Sequence, residues 1–217
     1  MSIGEAIPTI KEAEDLVRRY GDSMTGQFWN FDCVFRGVRI KDRENCHLFC
    51  EPPGKAVDLP HRNILSAIGF IRTALLRTHR QFEMVTGSDR ILRTLEAAFR
   101  RMLKELTANG GRARVIVVGQ TGEFQRLAEE FAETLQVVQG ASNGPVTHFF
   151  TSDDDVCRVE EPHAPLSDTM DAACIPAVYY PSHEPKTHSE RRVFDRYWSR
   201  LTGEKRRGAS PSPPVAV

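Results

Sequence analysis

The sequence predicts an α/β fold, a mixed sheet flanked by helices, with an N-terminal helix and a β-hairpin extension ahead of it. Two observations carry that reading. Residues 115–118 are an unbroken Val-Ile-Val-Val run without alternation, the pattern of a strand buried on both faces. Apolar residues at helical spacing bracket this run: Ile91, Leu92, Leu95, Phe99, Met102, Leu103 and Leu106 before it, and Phe124, Leu127, Ala128, Phe131 and Leu135 after it. With the short apolar run at 82–85 ahead of the first of these helices, the order is strand, helix, strand, helix. Such a connection between parallel strands is right-handed.

The remaining elements follow in chain order. Pro8 and Thr9 signal the start of a helix with Ile10, Ala13, Leu16 and Val17 on one face and a stop at Gly21. Residues 28–35 and 38–51 are rich in aromatic and β-branched side chains, join near Gly37 and end at Pro52-Pro53-Gly54, which predicts the hairpin. From Pro60 onward Ile64, Leu65, Ile68, Ile71 and Leu75 mark a buried helix that ends near Thr78-His79, and the long helix after it stops at Gly110-Gly111. Beyond Leu135, residues 137–138 and 146–150 supply strand material and 156–159 a further strand. An acidic, proline-containing loop runs to about Asp171, a strand follows at 173–180, and a last helix carries Val193, Phe194, Tyr197, Trp198 and Leu201. The segment from Lys205 is too polar and proline-rich to bury apolar surface. The expected division is an extension at 1–59, an α/β domain at 60–203 and a disordered tail at 204–217, with no internal repeat.

Composition narrows the function classes. The 29 basic and 29 acidic residues cancel, so no global field draws the chain onto nucleic acid or anionic lipid. No stretch approaches the roughly 20 apolar residues of a membrane span, and the N-terminus lacks the order of a signal peptide. Five scattered cysteines argue against a disulfide framework and for a reducing, cytoplasmic setting. No helix-turn-helix pattern occupies residues 1–63, so nucleic-acid binding is not expected.

Several clusters have a chemical and a plain reading. Cys46, His47 and Cys50, near Cys33 and His61, offer soft ligands at zinc-like spacing; on an alternating strand Cys46 and Cys50 share a face and equally suit a core. Arg72, Arg77 and Arg80 are candidates for an anion-binding face, with local pairing to Glu83, Glu96 and Glu105 as the alternative. Gly119, Gln120 and Thr121 follow the 115–118 strand at the sheet edge where ligands of open α/β folds sit, but no Walker lysine or G-x-G-x-x-G order accompanies them.

From Ile64 to Leu201 the order of elements resembles one half of the phospholipase D superfamily. That resemblance implies the motif H-x-K-x4-D, in which two facing copies supply a nucleophilic histidine and a histidine acid while the lysines hold phosphate oxygens. The matching stretch here is His148-Phe149-Phe150-Thr151-Ser152-Asp153-Asp154-Asp155, with His148 and Asp155 at the family spacing and Phe150 in place of the lysine. No Gly-Ser-x-Asn segment follows. A phenyl ring donates nothing to a phosphoryl group, so the chain reads as a non-catalytic, cofactor-free binding or accessory protein that holds a ligand, peptide or partner protein, paired as a homodimer or with another chain. Two alternatives stay open. One is a phosphodiesterase or nuclease that uses His148 from two subunits with arginine replacing the lysine, and the other is a ligand-sensing regulatory module.

Overall fold

The computed structural model describes residues 9–21, 57–59, 64–141, 146–153, 156–163, 166–169, 177–181 and 185–204. The expected hairpin at 28–51, Cys46, His47 and Cys50, Asp155, and the tail from Lys205 lie outside the described residues.

Helix α1 (Ile10–Tyr20) begins with a capping box: the Glu12 amide donates to Thr9 Oγ1 at 3.3 Å, and the Thr9 amide donates to Glu12 Oε2 at 3.1 Å. Strand β1 (Val57–Leu59) and helix α2 (Ile64–Arg77) follow. Strand β2 (Gln81–Thr86) leads through a short 3-10 turn at Asp89–Ile91 into α3 (Leu92–Ala108). Next come β3 (Arg112–Val117), α4 (Gly122–Glu130), β4 (Leu135–Gln139), β5 (Phe149–Ser152), β6 (Val156–Glu160), β7 (Ala177–Pro181) and α5 (Pro185–Thr202). The strands form one sheet in the order β1-β7-β6-β5-β2-β3-β4. β2, β3 and β4 run parallel because α3 and α4 carry the chain back between them, whereas β5, β6, β7 and β1 pair antiparallel with their neighbours.

Strand alternation sorts the core into two layers. Phe82, Met84, Ala113, Val115, Val117, Leu135 and Phe150 pack with the apolar faces of α1, α2, α3 and α4. On the other face Val85, Ile116 and Phe149 pack with Phe194 and Trp198 of α5. The expected helix through Leu135 is corrected here. α4 ends at Glu130, the Phe131 carbonyl accepts from the Thr134 and Leu135 amides, and Leu135 opens β4. Leu135 shares a core with Phe131, not a helix, and that shared burial produced the apparent periodicity.

Asp153 fastens the β5 end of the sheet to the turn before β2. Its carboxylate accepts from the backbone amides of His79, Arg80 and Gln81, at 2.8 to 3.0 Å for the shortest bond to each. Its own backbone takes a left-handed conformation, φ 43°. Hydrogen bonds to a charged acceptor contribute about 1.5–3 kcal/mol. Asp153→Ala is therefore expected to lower unfolding free energy by about 2–3 kcal/mol in urea titration, and Asp153→Asn by less. A change under about 0.5 kcal/mol for Asp153→Ala would show that the clamp contributes nothing.

Candidate functional site

The site forms where α1 and α2 close over the sheet at the carboxyl end of β2. A cavity of about 100 Å³ lies there, walled on the helix side by Ile10, Ile64, Ile68 and Ile71 and floored by Met84 and Phe150. Its polar end comes from the β5–β6 hairpin. The register pairs Phe150 with Arg158, and the Glu160 amide donates to the His148 carbonyl oxygen at 2.8 Å. Alternation then puts His148, Phe150, Arg158 and Glu160 on the α2 side of the sheet. His163 reaches the same place because its backbone bridges that of Val146, just ahead of His148.

Arg158 is 2% exposed. Its Nη1 donates to Glu160 Oε1, while Nε and Nη2, both buried, have no hydrogen-bond partner among the described residues. The other Glu160 oxygen, Oε2, lies 3.3 Å from His163 Nε2 and 3.7 Å from His148 Nδ1. The two imidazoles stack with centroids 4.4 Å apart and planes 23° apart. Across the cavity Arg90 donates to Glu14 at 2.6 and 3.1 Å and to the Leu166 carbonyl at 3.3 Å. At that wall Arg90 is engaged by two carboxylates, Glu14 and, at 2.7 Å, Asp168, whereas two donors of Arg158 have no partner among the described residues.

Electrostatics follow from burial. Desolvation pushes His148 down to about 4, against the pull of Glu160 and with the help of His163 and Arg158, so its ring is neutral near pH 7. Burial opposes the Glu160 charge most strongly of any one influence, but Arg158, His163 and His148 together outweigh it and hold the carboxyl far below the usual carboxylate range.

Of the residues singled out from sequence, His148 lines the cavity. Gly119, Gln120 and Thr121 do not; they pack against the turn after β2. The Gln120 carbonyl accepts from the Asp89 amide at 3.0 Å, and a Cβ on Gly119 would stand 2.5 Å from the Gly87 carbonyl oxygen. Gly87 in turn borders His148, whose Cε1 and Nε2 would lie 3.1 Å from a Cβ there. Arg72, Arg77 and Arg80 are not brought together. Arg72 lines a separate groove between α1 and α3 with Arg93 and Arg101, Arg77 ends α2, and Arg80 is exposed in the following turn. The expected lysine position has become core: Phe150 is 1% exposed and stacks on Phe82 at 5.8 Å. Sequence reasoning passed over Arg158, Glu160 and His163. The pairing of β5 with β6 sets His148 opposite Glu160, but the alternating charges of the second strand read equally well as a solvent-facing row.

The neutral His148 sets a pH dependence. Its folded pKa of about 4 lies below the free value of 6.5, so between these the unfolded chain binds a proton that the folded chain does not. Stability is full above about pH 6.5 and falls as pH drops toward 4, by on the order of 3 kcal/mol. Side-chain NMR of His148, with a chelator present, is expected to show a neutral ring at pH 6; a midpoint near 6.5 would contradict the burial described.

No family model and no curated protein sequence matches the chain. Solved structures do. Phosphatidylserine synthase of Haemophilus influenzae Rd KW20 aligns with TM-score 0.50 and 12% identity over 67% of this chain and 38% of that one. TrmBL2, an archaeal chromatin protein, aligns with TM-score 0.48 and 13% identity over 69% of this chain and 54% of that one. Nuc from Salmonella typhimurium, a phospholipase D family member, aligns with TM-score 0.44 and 15% identity over 69% of this chain and 95% of that one. The chain thus spans about half the length of TrmBL2 and less of the synthase. No helix among the described residues is long and apolar enough to cross a membrane. With its three parallel strands extended by antiparallel strands and helices on both faces, the chain has a mixed α/β fold of the kind seen in the phosphatidylserine synthase.

Proposed function

We propose that this chain is a binding protein that takes the anionic head of a small, partly apolar ligand at Arg158, without cleaving a phosphodiester. The observation that carries the reading is the pair of donors, unpartnered among the described residues, on a buried guanidinium at the end of an apolar cavity. Burying a polar group without a partner costs about 1–3 kcal/mol, more for a charged one. A carboxylate or phosphate accepting from Nε and Nη2 removes that cost, and the planar fork of arginine suits two parallel bonds. The isoleucines of α1 and α2 supply the apolar wall for the rest of the ligand. As part of the same proposal the chain pairs with a second copy or a protein or peptide partner; a strict monomer by light scattering would remove that part.

The arrangement of the histidines favours binding over turnover. In-line displacement at phosphorus needs the attacking and the proton-donating nitrogen on opposite sides of the phosphorus atom. Within one chain His148 and His163 stack face to face at 4.4 Å and cannot serve as that pair, so in-line cleavage would need His148 from a second copy. The phosphodiesterase reading keeps one supporting observation: Arg158 stands directly across the β5–β6 register from Phe150, so a positive charge lies one strand from the family's lysine.

Calorimetric titration with a short alkyl phosphate and the matching carboxylate tests the proposal. Binding of either is expected, weakened about 30- to 100-fold by Arg158→Met and less by Arg158→Lys, which keeps the charge without the fork. Affinity unchanged by both substitutions would refute it. Hydrolysis of bis(p-nitrophenyl) phosphate is expected at the buffer rate, and turnover abolished by His148→Ala would establish the enzyme instead.

A further inference from the structure

We propose that His148, Glu160 and His163 form a binding site for one late first-row divalent cation, zinc in the first place. The three side chains come from separate stretches that the backbone ties together: the approach to β5, the end of β6 and the segment after it. Glu160 N–H bonds the His148 carbonyl at 2.8 Å, and His163 and Val146 exchange backbone bonds at 3.3 and 3.4 Å. One ligand atom from each of the three lies within 4.8 Å of the others.

The distances approach those of a tetrahedral site. With metal–ligand bonds of about 2.0–2.2 Å, neighbouring ligand atoms stand about 3.4 Å apart. Glu160 Oε2 is 3.3 Å from His163 Nε2 and 3.7 Å from His148 Nδ1, so two edges are near that length already. The third, between the two histidines, lies within 4.8 Å, and metal binding turns the stacked rings out of their parallel arrangement so that their in-plane lone pairs converge. The carboxylate is also divided in its duties: Arg158 holds Oε1, which fixes the group so that Oε2 faces both imidazoles. An outer partner that orients a ligand in this way is a regular part of metal centres.

Donor chemistry selects the ion. Two imidazoles and one carboxylate suit zinc and its neighbours, and a set this rich in nitrogen does not suit calcium or magnesium. All three residues line the cavity, which leaves a fourth position toward it for water or a ligand head. Arg158 subtracts from the affinity for a cation; the Glu160 charge between them offsets that repulsion. The inference rests on the geometry of these three residues and does not need the organic ligand proposed above.

The test uses the full chain, stripped with chelator and titrated with zinc alone by calorimetry, and with cobalt alone by visible absorption. One equivalent of zinc is expected, with the ligand-field bands of tetrahedral cobalt. His163→Ala and Glu160→Gln are each expected to weaken binding about 100-fold or more, while the double variant Cys46→Ser, Cys50→Ser leaves it unchanged. Circular dichroism checks folding of each variant. Because Glu160 also pairs Arg158, His163→Gln serves as the gentler second probe, and zinc is expected to raise the Tm of the unaltered chain and not of this variant. Absence of binding, binding that survives both His163 substitutions in folded protein, or binding lost only in the cysteine variant would each overturn the proposal.

Discussion

The buried ion pair of Arg158 with Glu160 is the constraint around which this end of the molecule is arranged. A guanidinium and a carboxylate taken out of water repay their desolvation only with close geometry and further hydrogen bonds. Glu160 has them, one oxygen on Arg158 and the other beside two imidazoles. Arg158 does not, because two of its buried nitrogens are unpartnered among the described residues. A pair so unevenly satisfied is a poor device for stability and a good one for recognition, since it keeps a desolvated cation ready for an incoming acceptor.

The sheet positions this pair and also places an apolar ring where the resemblance in sequence implies a lysine. Phe150 fills the space between Phe70, Phe82 and the helices of the same face, with ring centroids at 6.4 and 5.8 Å. A lysine at 150 would have to drive an ammonium into that core, where it has no partner. The charge on this face of the hairpin sits instead at its cross-strand neighbour, Arg158.

What could be read from sequence divides along physical lines. The run at 115–118 announced a doubly buried strand because nothing in it alternates, and the 3.6-residue pattern of Leu95, Phe99, Met102 and Leu106 left little choice of helix. Leu135 misled because a buried residue after a turn keeps the same phase as one on a helix. His148 was legible through its spacing to Asp155. Arg158 and Glu160 were not, because charged residues alternating in a strand look like a solvent-facing row until the covering helix is known. Here that cover is α1 and α2, which line one cavity with the end of β6, an arrangement no local pattern encodes. The Gly119 segment shows the reverse case: its place at the sheet edge was foreseen, but not the close approach to Gly87 that fills it.

If the pair serves recognition and not folding, replacing both members with apolar residues should leave the protein standing. The most direct measurement is urea denaturation of Arg158→Met, Glu160→Leu and the double variant beside the unaltered chain. The account predicts losses of about 3–5 kcal/mol for each single change, which strands a buried charge, and a double variant as stable as the original or more so. A double variant that loses as much as the singles would show that the pair holds the fold together, and would contradict the account.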